Sequence, residues 1–324
     1  MKKKLLLLLA AVGMLLGCAG CKKEASQKVT LNVGVLKGPT GMGAVTMMDK
    51  AERGEYPDYK FTLTPDVTDI VARLSNGELQ IGALPTNTAV NLYNKTNGEF
   101  EMIAVNTLGV LYILENGDTV HAISDLKGKT ILVNGKGANP EFVINYVLKQ
   151  NGLVPGEDVT LTFKEATDIV TAMASGQADL CMLPVPAATT VLKKNGSVRE
   201  AIDMTEAYKA AAGDGSELTM GCLVAKKELL EKNPKAVQKF LADYEKETGE
   251  VLAKTEEAAA LATKYGITAN EAIAKEAIPK CNIVCITGPE MKQKLDGYYK
   301  VLFAASPDFL GGSLPKDDFY RTLK

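Results

Sequence analysis

Two glycine-rich turns carry the residues best suited to holding a small molecule. The first, Gly38-Pro39-Thr40-Gly41-Met42-Gly43, follows the apolar stretch LNVGVL; the second, Gly135-Lys136-Gly137-Ala138-Asn139-Pro140, follows KTILVN. Glycine lets backbone amides approach a ligand, and a helix that begins at such a turn offers unpaired N–H groups and the positive end of its dipole. Gly38, Thr40, Gly41 and Met42 are therefore candidate contacts in the first turn, and Gly137 and Asn139 in the second. Pro85-Thr86-Asn87-Thr88 and Pro184-Val185-Pro186 end two further apolar stretches and add Thr86, Asn87 and Val185; Asn106, inside the run EMIAVNTLGVLYIL, is a candidate facing inward. Thr86, Asn87 and Asn139 also suit helix caps, and one residue can serve both roles. This is hydrogen-bonding chemistry without a catalytic residue, because these loops neither pair two carboxylates nor set a nucleophile beside a base.

The rest of the composition narrows the function further. With one histidine, His121, the chain lacks the imidazoles of a histidine-rich metal site and has little scope for a Ser/His/Asp triad, so no metal or cofactor is expected. Its four arginines, Arg53, Arg73, Arg199 and Arg321, lie outside the candidate loops, which argues against a bidentate clamp on a carboxylate. Lys37 and Lys136 are the nearby cations and read as solvated loop lysines. The 37 basic and 39 acidic residues nearly balance to a net charge of −2, with no basic block of the kind that marks a nucleic-acid partner. At 324 residues and 46% hydrophobic, the chain is long enough for two lobes.

The elements that must position those loops are written twice. Residues 68–85, TDIVARLSNGELQIGALP, and 167–184, TDIVTAMASGQADLCMLP, share an opening Thr-Asp-Ile-Val, a central Gly and a closing Leu-Pro. Each is preceded by an apolar strand, a glycine turn, a helix and another strand, so each unit reads β, turn, α, β, α, β. Strands such as LNVGVL and ADLCML lack alternation, the pattern of parallel strands buried on both faces. Ligands of such sheets bind beyond the carboxyl ends of the strands, where all four loops fall. Residues 101–114 form a long strand leaving the first lobe, LTMGCLVAK at 218–226 returns to it, and the remaining helical stretches belong to that lobe. The expected division is 28–116 and 217–324 for lobe one, with lobe two, 117–216, inserted.

The N-terminus is an export signal. Lys2, Lys3 and Lys4 precede the apolar run Leu5–Leu16, shorter than the about 20 residues that cross a bilayer. Leu15-Leu16-Gly17-Cys18 resembles the bacterial lipobox, which implies a signal peptide over 1–17, acylation of Cys18 and a polar tether over 18–27; Cys21 is the second candidate. Of the remaining cysteines, Cys181 and Cys222 read as buried thiols, and Cys281 and Cys285 either pair or stay free.

The lipobox, the paired units, the link DLKGKTILVN and the pattern SGQADLCMLPVP together resemble solute-binding proteins of bacterial ABC importers, nearest to the nitrate/sulfonate/taurine type and the related THI5-like group. The resemblance covers residues 28 to about 315 and implies an α/β, two-lobed, type II periplasmic-binding fold with extra C-terminal helices. It implies a receptor that captures a small organic solute, with an anion as the leading candidate, hands it to a membrane permease driven by a cytoplasmic ATPase, and works as a lipid-anchored monomer on the outer face of the cytoplasmic membrane. A pyrimidine-like vitamin precursor is the alternative ligand, and a lipid-anchored sensor on the same fold the alternative role. Relatives often carry Gly-Ser-Thr where this chain has Gly137-Ala138-Asn139, and an aromatic before an acidic residue where it has Pro184-Val185-Pro186.

Overall fold

The computed structural model describes residues 29–213 and 216–323. The expected export signal, Cys18, Cys21 and the expected tether lie outside them. Two sheets organise the chain. The first has the order β11-β4-β10-β3-β1-β2, built from β1 (Leu31–Leu36), β2 (Tyr59–Thr64), β3 (Ile81–Pro85), β4 (Phe100–Leu108), β10 (Thr219–Lys226) and β11 (Ile283–Ile286). The second has the order β7-β6-β8-β5-β9, from β5 (Leu111–Asn116), β6 (Thr130–Val133), β7 (Thr160–Phe163), β8 (Leu180–Pro184) and β9 (Val198–Asp203). In each sheet the repeated unit supplies three parallel strands, β2-β1-β3 and β7-β6-β8.

The sheets are mixed rather than wholly parallel. Antiparallel β10 flanks β3, and antiparallel β5 flanks β8, so each of the two crossing connections delivers a strand into the sheet that it enters. The expected single strand over 101–114 is two strands, β4 and β5, which pair in different sheets on either side of Gly109-Val110. Gly109 permits the crossing: a Cβ there would stand 2.3 Å from the Thr205 hydroxyl, too close for any side chain. The second sheet therefore begins at Leu111, before the expected boundary at residue 117. Edge strand β11 was also not expected; IVCI is a four-residue apolar run between helices, too short to betray a period.

Helices cover both sheets. In the first unit α1 (Pro39–Glu52), α2 (Val67–Ser75) and α3 (Thr86–Lys95) follow β1, β2 and β3; in the second α4 (Asn139–Gln150), α5 (Ala166–Ala174) and α6 (Ala187–Lys194) follow β6, β7 and β8. Then come α7 (Met204–Ala212), α8 (Lys227–Lys232), α9 (Pro234–Ala253), α10 (Thr255–Lys264), α11 (Glu271–Ala277) and α12 (Gly288–Ala305). The core runs through both lobes. Phe142 of α4 meets Tyr298 of α12 edge-on at 6.1 Å, and Tyr208 of α7 lies 5.9 Å from the same ring. Cys281 is a buried free thiol and Cys285 a half-buried one, so these two are not paired, and burial pushes both up to about 12.

Glu115 at the end of β5 holds the entry to the second lobe. It is 3% exposed and accepts from the Thr119 hydroxyl at 2.6 Å, the Thr119 and Val120 amides at 3.0 Å each, and the Arg199 guanidinium at 2.6 Å. Burial alone would raise its pKa, but these donors outweigh it and hold the carboxyl below the ordinary value. A depressed carboxylate adds stability above its unfolded pKa of about 4.3 and loses it as pH falls through the lower folded value. We expect Glu115→Gln to cost about 1–3 kcal/mol at pH 7 and to flatten the acid limb of stability below about pH 4, read by urea denaturation across pH; an unchanged acid limb would remove Glu115 from the account.

Candidate functional site

Four strands end at the seam between the lobes, and a helix starts after each. The starts of α1, α3, α4 and α6, at Gly38, Pro85, Ala138 and Pro186, have no side-chain cap; α5, α8, α9, α10 and α12 lack one too, and α2, α7 and α11 are capped by Asp66, Asp203 and Asn270. The local sequence explains this. Proline and glycine at the turn lack a side chain able to accept, so the first-turn amides are left to outside partners. Gly38 has φ of 149°, a conformation that β-carbon residues rarely adopt.

These ends enclose a cavity of about 230 Å³ between the lobes. The first lobe contributes Lys37, Gly38, Pro39 and Thr40 before and within α1, Pro85 before α3, and Met220 and Gly221 of β10. The second contributes Asn134 and Gly135 after β6, Ala138, Asn139 and Pro140 at α4, and Pro184 after β8. Among the described lining residues Lys37 is charged and none is Asp, Glu or Arg. The walls are thus prolines, a methionine and backbone, with a few polar groups to orient a guest.

Asn139 is the centre of this arrangement. It is 1% exposed, and its Nδ2 donates across the seam to the Thr86 hydroxyl at 3.0 Å and to the Met220 carbonyl at 3.2 Å. The Thr86 hydroxyl spends its proton on the Thr219 carbonyl at 2.7 Å, so it must accept from Asn139. That order fixes the amide orientation and leaves Asn139 Oδ1 buried with no hydrogen-bond partner; Asn134 Oδ1 is likewise buried and unpartnered. A buried acceptor without a partner costs about 1–3 kcal/mol, and one at a cavity wall recovers it when a guest donates.

Of the sequence candidates, the structure brings Gly38, Thr40 and Asn139 to this cavity. Thr86 is fully buried behind it as the acceptor for Asn139. Gly41 packs at the end of β1, where a Cβ would lie 2.4 Å from the Leu36 carbonyl oxygen, and Met42 sits in the core. Asn106 is buried and donates at 3.5 Å to the Tyr244 hydroxyl; Val185 is buried with its amide on the Val110 carbonyl at 3.0 Å. Asn87 and Gly137 line a neighbouring cavity instead. Sequence reasoning missed Asn134 and Met220. Asn134 was findable, since it holds the place after β6 that Lys37 holds after β1; Met220 carries no local signal on a crossing strand.

Residues 98–258 match the family model described as NMT1/THI5 like. Over this span the chain is similar to the NMT1/THI5-like family. That match runs from β4 through the whole second sheet to the first turn of α10. No curated protein has a significantly similar sequence. Among solved structures, an ABC transporter from Parabacteroides distasonis shares 20% identity over 91% of this chain and 100% of its own, with a TM-score of 0.74. The periplasmic aliphatic sulphonate binding protein of Escherichia coli shares 18% over 91% and 92%, with a TM-score of 0.70. The alkanesulfonate-binding protein of Xanthomonas axonopodis pv. citri, bound to MOPS, shares 18% over 89% and 95%, with a TM-score of 0.64. The two-sheet architecture is therefore that of the periplasmic binding proteins.

The Asn139 bridge makes a quantitative expectation. In a thermal-denaturation double-mutant cycle, Asn139→Ala and Thr86→Val should each destabilise by about 1–2 kcal/mol and couple by about 1 kcal/mol; strictly additive effects would mean that the cross-seam bond carries no energy.

Proposed function

We propose that this protein is the solute-binding receptor of an ABC importer, exported and tethered through Cys18 to the outer face of the cytoplasmic membrane. The observation that carries the reading is the interlobe cavity, built from uncapped helix starts of both lobes and bridged by Asn139. A ligand there touches both lobes at once, so its binding energy favours the closed arrangement. The membrane permease is the partner to which the closed receptor delivers, and the site binds without turnover. The neighbours' names support this: each belongs to an ABC system or binds a sulfonate.

The cavity chemistry refines the ligand. Helix-start amides call for an acceptor, which a sulfonate or other small organic anion supplies, and Lys37 adds a cation among the described lining residues. Asn139 Oδ1 and Asn134 Oδ1 call for a donor as well. A compact solute with an acceptor at one edge and N–H or O–H at another satisfies both, and about 230 Å³ lies below the about 300–1,000 Å³ typical of drug-sized guests. The two unpartnered oxygens also favour the second reading, a neutral pyrimidine-like precursor with ring nitrogen and amino group side by side.

Two measurements check the proposal. A thermal-shift screen of sulfonates, nitrate, dicarboxylates, pyrimidines and vitamin precursors should find a ligand that at 100 times its Kd stabilises by about 2.7 kcal/mol, is recovered unchanged, and binds about tenfold more weakly to Asn134→Ala; conversion of the ligand by pure protein would make the site an enzyme's. Radiolabelled palmitate should enter the protein in cells through Cys18, with Cys18→Ser abolishing the label and Cys21→Ser retaining it; the reverse pattern would move the anchor.

A further inference from the structure

The Asn139 bridge does more than join the lobes, because it stands between two cavities. Along α3, Pro85 faces the cavity described above, Thr86 takes the bridge, and Asn87, Thr88 and Asn91 line a second cavity of about 320 Å³. Along the facing turn, Ala138 and Asn139 line the first cavity and Gly137 the second. Ser306, Asp308 and Phe309 of the C-terminal segment line the far side of the second cavity.

Its chemistry differs from that of the first. The described lining residues include one carboxylate, Asp308, and no Lys or Arg, and Asp308 has no ion-pair partner among the described residues. Asn87 is 3% exposed, and its Oδ1 is buried without a hydrogen-bond partner. An unpaired carboxylate and an unpartnered carbonyl oxygen in one polar cavity are both acceptors, and a group with several N–H donors and a positive charge answers both.

We propose that this polar cavity is a second compartment of the cleft, which holds an ammonium group against Asn87 and Asp308, with the Asn139–Thr86 bridge as the partition between compartments. It rests on the seam being a ligand cleft, as proposed above, but not on transport. The ammonium group belongs either to the far end of a solute whose acid group lies beyond the partition or to a separate small amine.

Calorimetric titration of the full chain with putrescine, 1,4-butanediol, 6-aminohexanoate and hexanoate separates these. Asp308 is exposed, so Asp308→Asn leaves the fold intact and serves as the variant. Putrescine should bind where butanediol does not and weaken at least fivefold in Asp308→Asn if the occupant is a separate amine. A preference of at least tenfold for 6-aminohexanoate over hexanoate, lost in Asp308→Asn, would identify the far end of one solute. The proposal is overturned if neither amine binds or if Asp308→Asn changes neither by more than twofold. Binding of hexanoate that survives such a result would leave the cleft reading standing, whereas Asp308-dependent putrescine binding with no anion or pyrimidine bound at all would sink the receptor reading and keep this compartment.

Discussion

One side-chain amide joins the two lobes. Asn139 gives both its N–H bonds to the opposite lobe, to Thr86 and Met220, and its carbonyl oxygen is buried without a hydrogen-bond partner. Everything around it is arranged so that this is possible. The helix that it begins carries no side-chain cap, Pro140 needs no amide partner in the first turn, and Thr86 is oriented by the Thr219 carbonyl of the returning strand. A hydroxyl or methyl in place of the carboxamide would hold one lobe or neither.

The duplicated unit explains why such a residue can exist. Two copies of one β-turn-α-β-α-β motif place four helix starts at corresponding strand ends, and two crossing connections turn the copies toward each other. Because β10 and β5 each run antiparallel beside the last strand of a unit, the crossing residues Gly109 and Val110 and the returning residues Met220 and Gly221 lie at the seam itself, where three of the four also line the cavity. The crossing strands and the cavity are therefore one piece of structure, so in the proposed receptor a closure of the lobes would be felt directly by the groups that touch a solute. Aromatic packing of Phe142, Tyr208 and Tyr298 on the flank gives the lobes a firm contact away from the cavity.

Much of this was legible in the sequence. The repeat of TDIV with its closing Leu-Pro revealed two units, and the glycine turns after LNVGVL and KTILVN located the two loops that supply most of the cavity wall. What was not legible depends on long-range pairing. EMIAVNTLGVLYIL reads as one strand because nothing within it shows that Gly109 meets Thr205, nearly a hundred residues further on. For the same reason Thr86, Asn87 and Asn106 read as equals, although one accepts the cross-seam bond, one faces a different cavity and one is buried against Tyr244. Polarity at a strand end marks a seam residue; which side of the seam it serves is set by the partner.

The central claim is that a solute closes the two lobes across Asn139. Single-molecule energy transfer tests it most directly, with dyes at Val154→Cys on the second lobe and Leu252→Cys on α9 of the first, both exposed at 45%, while Cys181, Cys222 and Cys281 are buried. The account predicts a shift from a broad, low-transfer population to a narrow, high-transfer one as the solute is added, with Asn139→Ala reducing that shift. Saturating binding that leaves the transfer distribution unchanged would contradict it.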